Sequence, residues 1–528
     1  MSPRRFRFAL AIIVAIWLAA RLAFWNGYYL EDAPGYVTDA IWMAVGNYHV
    51  RNHVNGLNVG TYLPVALPIA VFGKTEAALS LWPLACSLLG LLSVAAAARR
   101  FFGPSYGLLA AFLYATYPGD VFFSTVVMPD AIQAGWVSFS IFLVAASRGH
   151  AAKRRVLLCA GAAMGVCHLA RANDVLLLPV GLLAAFICSA MRDEGRMRIA
   201  CVDAFSYLAG WGIVVAAEGL AYAIFAGDFL WRLHVVQAHY GTPDSIARVG
   251  LNVAPGTIPF SLFAPIEWWL RGSWGRLNPD QAYHGLLFCL AVVLLAGGAL
   301  ALCWKRGRRN EATAAGLAVA AVWLLWPLVA HQYGSQSVTS YVPMHRLSRH
   351  LVVYAPGAIF AIAAGACAIS EVIRAVRVAQ VTAIAYAVAL VAMLGHLAFN
   401  WQGERIAFDA FHQIKETYVR IRQRLPEDVR TIVADPGDLC FLDFWMNPLG
   451  SERVRMMAFA AYDRCDQIGA GVVLTHSNRG WSDGAPVIVD TVRRLPCLTQ
   501  PPPTWHLLYD GYPEKVFVIT GDDRHARN

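Results

Sequence analysis

Apolar residues run along this chain in long blocks divided by short polar segments, a pattern different from the narrow apolar stripes of soluble helices or the alternation of half-buried strands. A helix needs roughly 20 apolar residues to cross a bilayer, because it rises about 1.5 Å per residue and must satisfy its own backbone polar groups. Eleven stretches, some of them short, read as spans: about residues 8–25, 78–98, 104–118, 131–147, 156–170, 174–190, 203–226, 283–304, 312–330, 350–370 and 379–399.

The pattern changes between and after these blocks. In VTDAIWMAVGNY, residues Val37, Ala40, Ile41, Ala44, Val45 and Tyr48 recur at helical spacing, which predicts an amphipathic helix lying at the membrane surface. The following TYLPVALPIAVFG is apolar but broken by Pro64 and Pro68 and closed by Gly73, so an interfacial or re-entrant segment is expected there. After Trp401 the hydropathy drops. Residues 404–425 place Ala407, Phe411, Ile414, Tyr418, Ile421 and Leu425 on one helical face, and five β-rich runs follow at 431–434, 454–459, 471–475, 505–509 and 515–519. The expected architecture is an all-α polytopic membrane domain over residues 1–400, with about eleven transmembrane helices, and a small α/β domain over 401–528.

Composition fixes the class: 58% of the 528 residues are hydrophobic, 15% are charged, and the mean hydropathy is +0.48, which excludes an ordinary soluble fold. Basic residues fix the expected orientation, because Lys and Arg stay on the cytoplasmic side. Arg4, Arg5 and Arg7 put the N-terminus in the cytoplasm, and the connections carrying Arg99 and Arg100, Lys153 to Arg155, Arg192 to Arg198, Lys305 to Arg309 and Arg374 to Arg377 then fall on the same side. The net charge of +9 is therefore a topology signal, and no nucleic-acid partner is expected. The first stretch continues through Arg21 into Phe24 and Trp25 and reads as an uncleaved signal anchor in the cytoplasmic (inner) membrane. Three long regions lie outside: 26–77, 227–282 and everything after 400. Eight cysteines lie in or beside the spans and read as packing residues, whereas Cys440, Cys465 and Cys497 fall in an oxidising compartment and allow one disulfide with one thiol left over.

Chemistry is expected at the outer face. Only Glu218 and His168 put ionisable groups clearly within a span, and the bland reading of each is a satisfied buried residue. There is no internal repeat, Walker A loop, GxSxG elbow or metal-ligand Cys/His spacing, so nucleotide-driven transport and serine hydrolysis have little support; the sequence requires no cofactor and leaves a divalent metal open. Glu31, Asp32, Asp39, Asp120 and Asp130 instead bring carboxylates from two connections just outside the membrane, where one of them can act as a general base. Arg171 and Arg349 sit outside against the positive-inside trend and are the natural donors to a departing phosphate.

DAPGYVTDAIWMAVGNY resembles the first outside loop of the GT-C superfamily, the lipid-linked-sugar glycosyltransferases that include protein mannosyltransferases and lipid A aminoarabinose transferases. Asp32 with Tyr36 a turn later, the apolar segment ending in FG, the span ending in ARRFFG, the YP turn and the PDA element extend the resemblance over about residues 8–360. It implies a GT-C-like membrane domain with Asp32 as catalytic base and Asp130 of PDA as a second functional carboxylate. Arg171, where similar enzymes often have Lys, and Arg349 of RHLVVYAP would face the carrier phosphate, and Glu31, Tyr36 and Arg346 would line the donor and acceptor pocket. The chain departs from the pattern in having Ala33 where many relatives have Glu, and His350 in place of the common Tyr. The implied partners are a polyprenyl-phosphate-linked sugar, a lipid, glycan or protein acceptor, and membrane lipids. A lipid-linked-sugar flippase, with its carboxylates at the midplane, and a non-catalytic envelope-assembly scaffold, with dispensable carboxylates, are the competing readings.

Overall fold

The computed structural model of the chain describes residues 1–28, 32–191, 197–240, 287–304, 311–335, 351–375, 409, 412, 415–427, 429–434, 436–447, 449–469, 471–476, 495–510 and 514–519. Within them the first ten predicted spans are helical. They are α1 (Pro3–Ala23), α4 (Glu76–Phe102), α5 (Pro104–Ala115), α7 (Pro129–Ser147), α8 (Lys153–Ala170), α9 (Leu178–Ala190), α10 (Met197–Ala226), α12 (Leu287–Trp304), α13 (Glu311–Tyr333) and α14 (Leu351–Ala375). The stretch at 379–399 lies outside the described residues. Among those described, six helices (α1, α4, α7, α10, α13 and α14) are long and apolar enough to cross a membrane, so the chain is a multi-pass membrane protein. The count of eleven spans rests on the sequence pattern.

Glycine sets how closely these helices approach. Where α8 crosses α10, a Cβ on Gly161 would stand 1.8 Å from the Tyr207 carbonyl oxygen and one on Gly210 1.9 Å from that of Leu158. Backbone therefore packs on backbone there, as small residues allow between membrane helices. The interior holds a buried ionic centre. Asp120, in the short helix α6 (Pro118–Phe123), was expected at the outer surface with the other loop carboxylates; it is instead 1% exposed and ion-paired with Arg21 of α1, which is fully buried. Tyr114 Oη donates to Asp120 at 3.3 Å and Ser87 Oγ at 2.5 Å, while Arg21 Nη1 donates to the Trp17 and Ala115 carbonyls at 3.0 Å each. A buried charge needs this much satisfaction, because its desolvation is recovered only through close partners.

Two helices lie in the first long connection. The predicted surface helix is α2 (Ala33–Ala44), and the Pro-containing segment is α3 (Val59–Phe72), 14 residues and too short to cross. The prolines do not break α3 as their positions suggested; the helix runs through both of them. Pro64 has no N–H to offer the carbonyl of Gly60, four residues back, and Trp82 Nε1 of α4 donates to that carbonyl at 3.0 Å instead. Gly73, at φ +76°, ends the helix in a conformation that favours glycine.

The C-terminal region contains a five-stranded sheet of β1 (Thr431–Ala434), β2 (Arg455–Ala458), β3 (Gly471–His476), β4 (Trp505–Asp510) and β5 (Glu514–Ile519), in the order β2-β1-β3-β5-β4. β1 pairs in parallel with β2 and β3, and β5 pairs antiparallel with β3 and β4. All five strands match the predicted runs, and Tyr418, Ile421 and Leu425 of the predicted helical face are buried. Cys465 and Cys497 form the disulfide. This unit docks on the first connection through α15 (Pro436–Met446): Lys74 reaches the Asp443 carboxylate and carbonyl, Lys415 pairs with Glu76, and the Tyr28 and Phe444 rings lie 4.3 Å apart.

Candidate active site

Asp32 stands at the N-terminus of α2 as its N-cap residue, yet its side chain makes no capping bond to the helix. Its Oδ1 accepts from Asn55 Nδ2 at 3.4 Å instead. One turn on, Tyr36 is 2% exposed and its hydroxyl accepts from Asn58 Nδ2 at 2.8 Å. The polar run HVRNHVNGLN, which closes through a 3₁₀ turn at Val54–Leu57, thus folds back over the start of α2.

From Asn58 the contacts continue to the second carboxylate. Thr61 Oγ1 donates to the Ala170 carbonyl at 2.9 Å, and a Cβ on Gly60 would meet the Ala170 nitrogen at 2.8 Å, so the start of α3 rests against the end of α8. The next residue, Arg171, leaves the helix in extended conformation and donates through Nη1 to Asp130 Oδ1 at 3.3 Å. Asp130 lies in the first turn of α7 and is completely buried, whereas the Arg171 side chain is 20% exposed. The structure therefore joins four of the residues singled out in the sequence, Asp32, Tyr36, Asp130 and Arg171, through one continuous series of contacts. Glu31, Arg346 and Arg349 lie outside the described residues.

Asp39, one of the carboxylates expected just outside the membrane, is buried rather than solvated. It is on the buried face of α2, 0% exposed, and Arg51 Nη1 donates to its Oδ1 at 2.9 Å. Its Oδ2 is buried without a hydrogen-bond partner. Desolvation raises the Asp39 pKa, against the lowering effect of Arg51. Beside it, burial and then the Arg51 charge lower the pKa of His53, whose Nδ1 accepts from the Asn55 amide at 3.2 Å and so leaves the proton of the neutral ring on Nε2.

Glu218 is paired, and by a group the sequence did not indicate. Arg232, from α11 (Trp231–Tyr240) in the second long connection, donates to both of its carboxylate oxygens and to the Leu57 carbonyl at 2.6 Å. Arg232 thereby ties α10 to the turn that carries Asn55 and Asn58. His168 packs edge-on against Trp211 with ring centroids 5.9 Å apart. Sequence reading missed Arg51, Asn55, Asn58 and Arg232; the available signal was the density of Arg, His and Asn at 49–58 between two apolar segments. Among the described residues no group of three His, Cys, Asp or Glu converges in a way that would hold a metal ion.

An all-helical multi-pass domain with Asp32, Asp39 and Asp130 near a first connection of two short helices has a GT-C-like fold, as the resemblance implied. Residues 60–215 match the family described as dolichyl-phosphate-mannose-protein mannosyltransferase. Among solved structures the chain is similar to ArnT from Cupriavidus metallidurans bound to undecaprenyl phosphate, at 14% identity over 98% of both chains with a TM-score of 0.57. It is also similar to the Archaeoglobus fulgidus oligosaccharyltransferase, in a complex with Zn and sulfate, at 12% identity over 97% of this chain and 73% of that one with a TM-score of 0.54. The same oligosaccharyltransferase tethered to an acceptor peptide gives a TM-score of 0.52 at 12% identity over 98% of this chain and 74% of that one. Comparison with curated protein sequences gives no match.

Proposed function

We propose that this protein is a glycosyltransferase of the outer face of the cytoplasmic membrane, moving a sugar from a polyprenyl-phosphate carrier to a lipid, glycan or protein acceptor. The observation that carries the reading is the contact series from Asp32 to the Asp130–Arg171 pair, set in a fold similar along its length to that of ArnT bound to undecaprenyl phosphate. Asp32 takes the proton from the acceptor hydroxyl or amine as that atom attacks the anomeric carbon. The bond from the anomeric carbon to the phosphate oxygen breaks, and the carrier leaves as a phosphate whose charge is met by Arg171 and Arg349. Asp130, held by Arg171, positions the acceptor, and Glu31, Tyr36 and Arg346 line the donor and acceptor pocket.

The membrane topology belongs to the same proposal: about eleven spans, with the N-terminus in the cytoplasm and the 401–528 domain outside, where α15 roofs the first connection. The test is turnover of lipid-linked sugar by the purified protein, with candidate acceptors compared by mass spectrometry. Transfer by the wild type that disappears in Asp32→Asn is the expected result. Sugar-lipid movement across liposomes without transfer would replace the proposal with a flippase.

A further inference from the structure

At the end of the bundle opposite the Asp32 site, α1, α4 and α7 enclose an apolar groove of about 540 Å³. Phe6, Leu10, Leu92 and Phe142 contribute its apolar walls, and Arg99 and Arg100 line it where α4 ends. Leu92 is 40% exposed although it lies in a spanning helix, so the groove opens toward the lipid.

The arginines here differ from the four that hold the core and the Asp32 end of the membrane domain. Arg21, Arg51, Arg171 and Arg232 each have a carboxylate partner. Arg99 has none among the described residues, and its guanidinium lies over the Phe6 ring at 4.4 Å from the centroid. Arg100 donates to the backbone carbonyl of Arg148, whose own guanidinium lies over the Phe101 ring at 5.1 Å. Three cations thus gather around one end of an apolar slot with no carboxylate paired to them among the described residues. Stacking occupies the face of a guanidinium and leaves its N–H edge suited to phosphate.

We infer that this groove is a binding site for an anionic glycerophospholipid of the leaflet on the N-terminal side, with one acyl chain between α1, α4 and α7 and the headgroup phosphate on Arg99 and Arg100. Two features select this occupant: the apolar lining of Phe6, Leu10, Leu92 and Phe142 suits an acyl chain, and the positive charge at its end suits an anionic headgroup over a zwitterionic one. The site stands apart from the catalytic proposal and uses none of its residues.

The test is lipid retention by the full-length protein, read by native mass spectrometry after equilibration in mixed micelles of phosphatidylglycerol and phosphatidylcholine with identical chains. Wild type is expected to keep phosphatidylglycerol over phosphatidylcholine by on the order of tenfold, the preference two basic residues at a membrane surface can give. The double variant Arg99→Gln/Arg100→Gln should lose that preference while still binding either lipid weakly. Ala96→Trp, which fills the groove and leaves both arginines in place, should lower retention of phosphatidylglycerol. An unchanged preference in the arginine variant, or equal retention of the two lipids by wild type, would overturn the inference. So would undiminished phosphatidylglycerol in Ala96→Trp.

Discussion

Arg21–Asp120 and Arg171–Asp130 are the same chemical pair in different surroundings. In the first, both side chains are at most 2% exposed, and the carboxylate also takes hydrogen bonds from Ser87 and Tyr114. In the second, the carboxylate is just as buried, but its arginine is 20% exposed and stands at a helix end beside the first long connection. A cation enclosed by its partners can only hold helices together. One that reaches the surface through a buried carboxylate can hold that carboxylate and still meet a ligand's charge. The comparison separates a structural pair from a candidate functional one, although the sequence offers the same two residue types in both.

The largest effect expected lies beyond both pairs, at Asp32. Asp32→Asn keeps the side-chain shape and removes the base, so lipid-linked sugar turnover should fall by about 10²–10⁴, or roughly 3–5 kcal/mol of barrier. Stability should move far less than activity, because this carboxylate does not cap α2 and Asn keeps an oxygen that can accept from Asn55. Carrier binding should persist. If Asp32→Asn transfers sugar at the wild-type rate, the functional end of the comparison is misplaced.

The structural pair ranks next. Asp120→Ala leaves the Arg21 charge buried without its partner and should destabilise the fold by about 3–5 kcal/mol, measured by unfolding in mixed micelles. Replacing both partners, Arg21→Met with Asp120→Leu, should cost less than the single change, since no charge is then stranded. Arg171→Ala removes the cation that donates to Asp130 beside a more accessible site, so a smaller loss of about 1–3 kcal/mol is expected together with loss of transfer. Equal destabilisation by Asp120→Ala and Arg171→Ala would erase the distinction.

Much of this architecture was legible in the sequence because it depends on local pattern. The five strands announced themselves as short β-branched or aromatic runs between turn residues, and α2 by its helical spacing. Partnerships were hidden because they join distant positions: 99 residues separate Arg21 from Asp120, and 41 separate Asp130 from Arg171. Asp39 shows the limit most clearly. An amphipathic reading places a carboxylate on the wet side of a helix, yet Arg51 supplies the charge that lets Asp39 lie on the dry one. Asp32, Tyr36, Asp130 and Arg171, which the structure joins through contacts, were singled out in the sequence through resemblance and motif order.

Asp39 gives a pH-dependent contrast. Its pKa is raised in the folded protein, so the folded state binds the proton more tightly than the unfolded state does. The stability this contributes is fully present below the ordinary carboxylate value of 3.8 and is lost as pH rises through the higher folded value. Asp39→Asn should therefore flatten the fall of the thermal midpoint over that acid-to-neutral window. The same slope in Asp39→Asn and wild type would show that Asp39 is solvated like an ordinary loop acid.

The smallest effect tests how the first connection is held in shape. Trp82 Nε1 donates to the Gly60 carbonyl, and that carbonyl lacks the usual helical donor because residue 64 is proline. Trp82→Phe keeps the ring and removes the donor, leaving the carbonyl short of a partner at a cost of about 1–3 kcal/mol. Lost ring volume would add to that figure, so the single variant alone cannot isolate the hydrogen bond. Pro64→Ala restores a backbone N–H that α3 can offer to the same carbonyl. In that background Trp82→Phe should cost less by about 1 kcal/mol, the net worth of one ordinary hydrogen bond, whereas the packing loss stays the same in both backgrounds and cancels from the cycle. A coupling of zero would mean that Trp82 holds α3 by contact alone and that the proline does not depend on it.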